Sequence, residues 1–349
     1  MRPAPAGRTR RAGGRPRALA VALGLGLGSA GCPGDDDCAG WATVAELDAA
    51  VLAVQGTTAD DVWVVGGGLG LGGPLAARWD GARWTRPSLA AAGDDSLWWV
   101  WSAPDGTTWM VGERGLVVRL RGEAVAVDRV ATAATLYGVW GSAGDDVWLV
   151  GGVPGGGADA EDDLVLRWDG AAFAAPPGVP ARGATLFKVW GSGADDVWIS
   201  GEGGTMLRWD GAAFVDHSAE LATPAPALTV HGCARDEVYA VAGQGLYAWD
   251  GARWARRAEP ALGSVASGVT CGDPGVLVVG NAGLKLRWDR ATGAWRDERA
   301  AAPTGVDLHG AWLDPAGRAW VVGGNFNAPM PTTRRGVVGV RGCPRPPGP

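Results

Sequence analysis

Hydrophobic residues along this chain fall in short β-branched and aromatic runs, cut at close intervals by Gly and Asp. Thr185–Trp190 (TLFKVW) reads as a strand, Gly191–Asp196 (GSGADD) as a turn and Val197–Ser200 as a second strand. Gly201–Gly204 turns again, Thr205–Trp209 is a third strand, and Asp210-Gly211 leads into a fourth at Ala213–Val215. Such runs separated by tight turns are what antiparallel hairpins require. The Asp-Gly pairs at 80–81, 169–170, 210–211 and 250–251 suit the left-handed backbone of a tight turn.

This unit repeats. The pattern V-W-G-S-x-x-D-D-V-W-x-V-G, followed by R-W-D-G-x-x-W, aligns at Val54–Gly66, Val100–Gly112, Val139–Gly151, Val189–Gly201, Val230–Ala242, Val269–Gly280 and Ala311–Gly323. Its last residues are spaced by 46, 39, 50, 41, 38 and 43, the period of four-stranded propeller blades. Four template columns collect 18 of the 20 Trp, which places them in blade-to-blade packing rather than in a ligand site. The predicted fold is therefore all-β: a seven-bladed β-propeller of four-stranded antiparallel blades spanning 41–343. The seventh repeat lacks a fourth strand, and Trp41 in CAGWATV stands where a fourth-strand Trp belongs. The amino-terminal strand should complete the last blade and close the ring, which removes exposed sheet edges.

Composition adds export to this picture. With 59 Gly the chain is built for turns rather than long helices. Residues 1–17 carry six Arg and no acid, and Ala18–Leu27 is an apolar run too short to span a bilayer, as in a signal peptide. Gly28-Ser29-Ala30-Gly31-Cys32 resembles the lipobox of bacterial lipoproteins, with Ser29 where that family prefers Leu. The resemblance implies a leader at 1–31, a lipid on Cys32, a tether at 32–40 and an envelope location. Ordinary signal-peptidase cleavage near Ala30, with secretion, is the alternative. Residues 344–349 form a Pro-rich tail. Five Cys is an odd number for an exported protein. Acylation of Cys32 leaves four, expected to pair as Cys38–Cys343, locking the closure, and Cys233–Cys271, at equivalent turns of neighbouring blades. Beyond the leader 25 basic residues face 37 acidic ones, a charge of about −12. That field repels nucleic acid and anionic membrane, so membrane contact is expected only through the lipid, and the chain is expected to be a monomer.

The WGS–DDVW–VG and RWDG signatures over 41–343 resemble the tandem repeats of secreted, often lipid-anchored propellers of myxobacteria and other high-GC bacteria. The resemblance implies a fold and no particular activity. Ser102–Trp109 (SAPDGTTW) is also similar to the Asp-box of sialidase-type propellers, displaced by one residue at the Asp, but no arginine triad can be assigned.

Candidate chemistry is sparse. The acidic pairs Asp60-Asp61, Asp145-Asp146, Asp195-Asp196 and Asp236-Glu237 recur at one template position, so they are expected to bond turn amides rather than to act as paired carboxylates or calcium ligands. His231 and His309 replace aromatic template positions. His217 lies in an inter-blade loop, and Trp99 stands outside the repeated columns. These last two are the candidate ligand contacts. No metal motif, nucleophile elbow or cofactor loop is present. The connections from first to second and third to fourth strands are nearly constant, whereas those on the opposite face (Gly66–Pro74, Gly151–Asp163, Val215–Ala227, Gly323–Gly336) vary. Variable loops on a rigid scaffold are where specificity resides. The expectation is a non-catalytic scaffold binding a protein or glycan partner through that face. The alternative is a glycan-active hydrolase or lyase, which would need acids, His or Arg converging on the channel.

Overall fold

Each repeat folds into one antiparallel sheet because its second strand is apolar on both faces and can be covered only by neighbouring repeats. The computed structural model describes residues 40–70, 72–155, 161–326 and 334–342. Cys32, Cys38, Cys343, the leader, the tail and all of the tether but Gly40 lie outside the described residues. Seven four-stranded sheets form the seven blades, six of them from consecutive strands. The innermost strands are Ala50–Thr58, Leu97–Ser102, Thr135–Ala143, Leu186–Gly193, Ala227–Ala234, Ala266–Gly272 and Asp307–Leu313.

The ring closes as the aromatic columns predict. The strand Trp41–Leu47 is the outermost member of the seventh sheet, ahead of Gly336–Arg341, Ala319–Gly324 and Asp307–Leu313. Its register runs from Trp41 opposite Arg341 to Leu47 opposite Gly336. The Trp41 indole N–H donates to Glu298 Oε2 of the sixth blade at 2.8 Å.

The Trp columns lie between blades. Trp148 of the third blade meets Trp209 and Phe214 of the fourth at 5.9 and 6.2 Å between ring centres. Trp198 of the fourth meets Trp249 and Trp254 of the fifth at 5.0 and 5.2 Å. The rule is that a second-strand Trp packs on the third- and fourth-strand aromatics of the next blade, and burial of such rings dominates core energetics. The Arg of R-W-D-G covers the exposed side of this stack, with Arg208 5.1 Å over Trp198 and 5.5 Å over Trp249.

The acidic pairs correct one expectation. They do not bond turn amides. Asp196, fully buried, accepts from Arg208 Nε at 2.7 Å and Ser192 Oγ at 2.5 Å. Asp146 does the same with Arg167 and Ser142, and Asp61 with Arg78 and Thr57. In the first, third and fourth blades the Ser/Thr near the end of the first strand, the second Asp and the third-strand Arg thus form one clamp. The carboxylate holds the guanidinium flat on the Trp stack, a charge-assisted arrangement stronger than an amide turn bond. Turn amides are instead bound by the Asp of Asp-Gly: Asp210 Oδ1 accepts from the N–H groups of Ala212 and Ala213 at 2.9 and 2.8 Å. These bonds, joined by the charge of Arg208, hold the Asp210 carboxyl below the ordinary range.

Candidate functional site

The innermost strands all break register at one common position, and four of them break again near the turn into the second strand. At the common position one residue of every blade is bulged out of the ladder with the second strand: Leu52, Trp98, Tyr137, Phe187, Leu228, Ser267 and His309. A bulge re-aims its side chain and frees its backbone from the ladder. Six of these seven side chains therefore converge at one mouth of the central channel, where they line a funnel of about 330 Å³ together with Pro154, Lys188, Val265, Asn281 and Phe326. An aromatic arc runs around it. Phe326 lies 5.4 Å from His309, His309 6.0 Å from Trp98, Trp98 4.8 Å from Tyr137 and Tyr137 5.5 Å from Phe187, all edge-on. Leu228 and Ser267 leave the arc open on the side of the fifth and sixth blades. Pro154, Asn281 and Phe326 come from loops between second and third strands, so the funnel opens on the variable-loop face.

Three of the bulge-residue carbonyls are bound by side chains across blade boundaries. His309 Nδ1–H donates to the Leu52 carbonyl at 2.5 Å, Thr229 Oγ1 to that of Ser267 at 2.7 Å, and Lys188 Nζ to that of Tyr137 at 3.0 Å. Lys188 is the floor of the funnel. It is 5% exposed, and its ammonium lies 4.1 Å from the centre of the Trp99 ring. Burial drives its pKa down from 10.5 to about 7. Burial, and next the Lys188 charge, push His309 down to about 3, so that ring is neutral near pH 7.

Below this floor the channel is nearly filled. A void of about 30 Å³ remains, lined by the inner strands of all seven blades. The position after each bulge reads Ala53, Trp99, Gly138, Lys188, Thr229, Gly268 and Gly310. A Cβ on Gly138 would stand 3.0 Å from the Phe187 carbonyl oxygen, so the neighbouring strand already occupies that space. Trp99 and Lys188 fill what the small residues leave. The ionisable side chains lining this void are Lys188 and His231, whose pKa burial lowers to about 4.

The candidates read from sequence separate. Trp99 belongs to the site as part of its floor. His217 does not: its ring lies between Trp198 and Trp249, 5.2 and 5.0 Å away, and its Nδ1 is 2.7 Å from Glu220 Oε1. It stands just before the short helix Ser218–Leu221 and braces two blades, because the second-strand Trp stack extends to that loop. Cys233 and Cys271 are joined in a disulfide linking the inner strands of the fifth and sixth blades. Glu237 lies beside them, and the three are the one metal-compatible grouping among the described residues; the disulfide occupies both sulfurs. Trp98, Tyr137 and Phe187 were not legible as site residues. Their signal is a largely aromatic column two residues before the aligned Val, outside the four Trp columns.

No family model and no curated protein matches this chain. Solved structures do. YCF48 bound to D1 peptide aligns over 87% of this chain and 97% of its own, with a TM-score of 0.62 at 13% identity. YCF48 from Cyanidioschyzon merolae aligns over 87% and 99%, with 0.62 at 14%. The WD40 β-propeller domain of Doa1 aligns over 86% and 97%, with 0.59 at 11%. At these identities the likeness is one of fold.

Proposed function

We propose that this chain is a binding scaffold that is exported, anchored to the cell envelope through Cys32, and holds a protein partner by an apolar side chain or chain end inserted into the axial funnel. The observation that carries the reading is the bulge repeated in all seven inner strands, which turns one aromatic-rich column toward a single opening on the variable-loop face. An aromatic recess with few polar groups is how proteins bind apolar anchors. A sugar would need hydrogen-bonding side chains around its hydroxyls, whereas Trp98, Pro154, Phe187, Leu228, Val265 and Phe326 make more than half of the funnel lining apolar. A hydrolase acting on glycans would need paired carboxylates, and none lines the funnel among the described residues. One neighbour in fold, YCF48, is bound to a peptide, which supports a peptide partner as the reading to test. The leader, with no membrane-length helix among the described residues, supports anchoring by lipid rather than by a span.

The test is selection of binders from a random-peptide display library and, in parallel, a glycan array. Peptides rich in aromatic or aliphatic anchors should be enriched on the purified protein and lost on a Trp98→Ala, Phe187→Ala double variant of unchanged circular dichroism. Equal enrichment on that variant, or signal on the glycan array alone, refutes the reading.

A further inference from the structure

The funnel is largely apolar and aromatic, and its floor carries a cation, Lys188. We infer that the ligand it takes presents a carboxylate on an aromatic or branched aliphatic body, with the carboxylate seated on Lys188 and the body among Trp98, Tyr137 and Phe187. This rests on the funnel being a binding site and names the chemistry that site selects.

The argument starts from what a buried ammonium needs. Lys188 Nζ has three N–H donors, and one is used, on the Tyr137 carbonyl. The Trp99 face supplies a second, weaker contact. Among the described residues no carboxylate lies within 4.0 Å of it, although nineteen Arg–carboxylate pairs form among those same residues. A buried ammonium so poorly matched is costly unless a partner arrives. The chain contains only two lysines, and the other, Lys285, binds the carbonyls of Gly283 and Pro303 away from the funnel. The unmatched ammonium thus lies where six of the seven bulges direct their side chains, Trp98, Tyr137, Phe187 and Leu228 among them.

Charge and size narrow the ligand. A cation is repelled by Lys188, and a neutral apolar body leaves its donors unused. The opening of about 330 Å³ equals roughly ten water volumes, enough for one ring with a short acidic arm or for one terminal residue of a peptide. A free aryl acid and a peptide carboxyl terminus share this chemistry.

The groups facing Lys188 leave it as the one that titrates near neutrality. His309 from the seventh blade is already neutral. Burial, followed by Glu113 and Glu202, raises the Tyr137 hydroxyl pKa, despite its bond to Thr135. Glu113 and Glu202 bind the backbone N–H groups of Ser96 and Thr185. Affinity for an acid should therefore fall as pH rises above neutrality, while affinity for its amide stays flat.

The experiment uses the purified full chain and tryptophan fluorescence at pH 6.5 and 9. The probes are phenylacetate and phenylacetamide, and a short peptide ending in Phe as the free acid and as the amide. The expected result is at least tenfold tighter binding of acid than amide at pH 6.5, lost at pH 9. In Lys188→Met the preference should vanish, and Lys188→Gln serves if Met impairs folding. A peptide acid tenfold tighter than phenylacetate identifies a chain terminus as the source, and comparable affinities identify a free acid; both support the inference. Equal binding of acid and amide by the native protein, binding of neither, or a preference that survives in Lys188→Met overturns it. Equal binding overturns only the carboxylate and leaves the peptide-binding reading standing, which the display selection tests separately.

Discussion

Replacing Lys188 with Met should stabilise the protein, and by an amount that depends on pH. The ammonium is 5% exposed, and burial moves its pKa from 10.5 to about 7. With about 1.4 kcal/mol for each tenfold change in proton affinity, burying the charged form costs about 5 kcal/mol at pH 6, where folded and unfolded chains both hold the proton. Between pH 7 and 10.5 the unfolded chain binds the proton and the native one does not. Stability therefore rises with pH through that window, and by pH 9 the cost has fallen to about 2 kcal/mol. Met removes the charge and keeps a flexible apolar chain against Trp99, but it forfeits the bond to the Tyr137 carbonyl. Replacing buried ions by apolar residues commonly gains about 1–4 kcal/mol. Lys188→Met should accordingly be more stable than the native chain at pH 6, with a difference about 3 kcal/mol smaller at pH 9. Lys285, lowered to about 8 chiefly by burial, is common to both proteins and cancels. Urea unfolding followed by tryptophan fluorescence at the two pH values measures this. A difference that is the same at both, or a variant less stable at pH 6, refutes the account of Lys188 as a desolvated cation.

Asp196→Ala should cost about 3–5 kcal/mol in urea unfolding, because it strands Arg208 between Trp198 and Trp249; a loss below about 1 kcal/mol would mean that the clamp is ornamental. Gly211→Ala puts a Cβ 2.8 Å from that of Asp195 at φ +96°, and should cost more than Gly203→Ala, a left-handed site in open space, where about 1 kcal/mol is expected. Removing the Cys233–Cys271 crosslink, 38 residues apart, should lower stability by up to about 4 kcal/mol on the chain-entropy account, read as the shift in unfolding midpoint of the Cys233→Ser, Cys271→Ser double variant. Non-reducing peptide mapping should recover Cys233–Cys271 and, on our reading of the closure, Cys38–Cys343; a Cys38–Cys271 or Cys233–Cys343 peptide would contradict that closure.

The sequence by itself determined the blades. Trp148, Trp198, Trp209 and their equivalents recur because every blade meets its neighbour through the same faces, so a local pattern repeated seven times implies the ring. Trp41 showed which strand closes it, since a fourth-strand Trp without its blade has one place to go. The tertiary structure alone decided the site. A bulge shifts the side-chain alternation by one residue, so nothing in the run SLWWVWS tells that Trp98 faces the funnel mouth while Trp99 covers its floor. Whether the extra residue is accommodated there depends on the ladder with the second strand. His217, solitary in sequence, became a packed ring once Trp198 and Trp249 came together around it. Lys188 occupies a variable template position, and its meaning arises only when strands from blades two, three, four and seven meet on one axis. There its ammonium is taken out of water with a single hydrogen bond, a physical condition that no linear pattern can express.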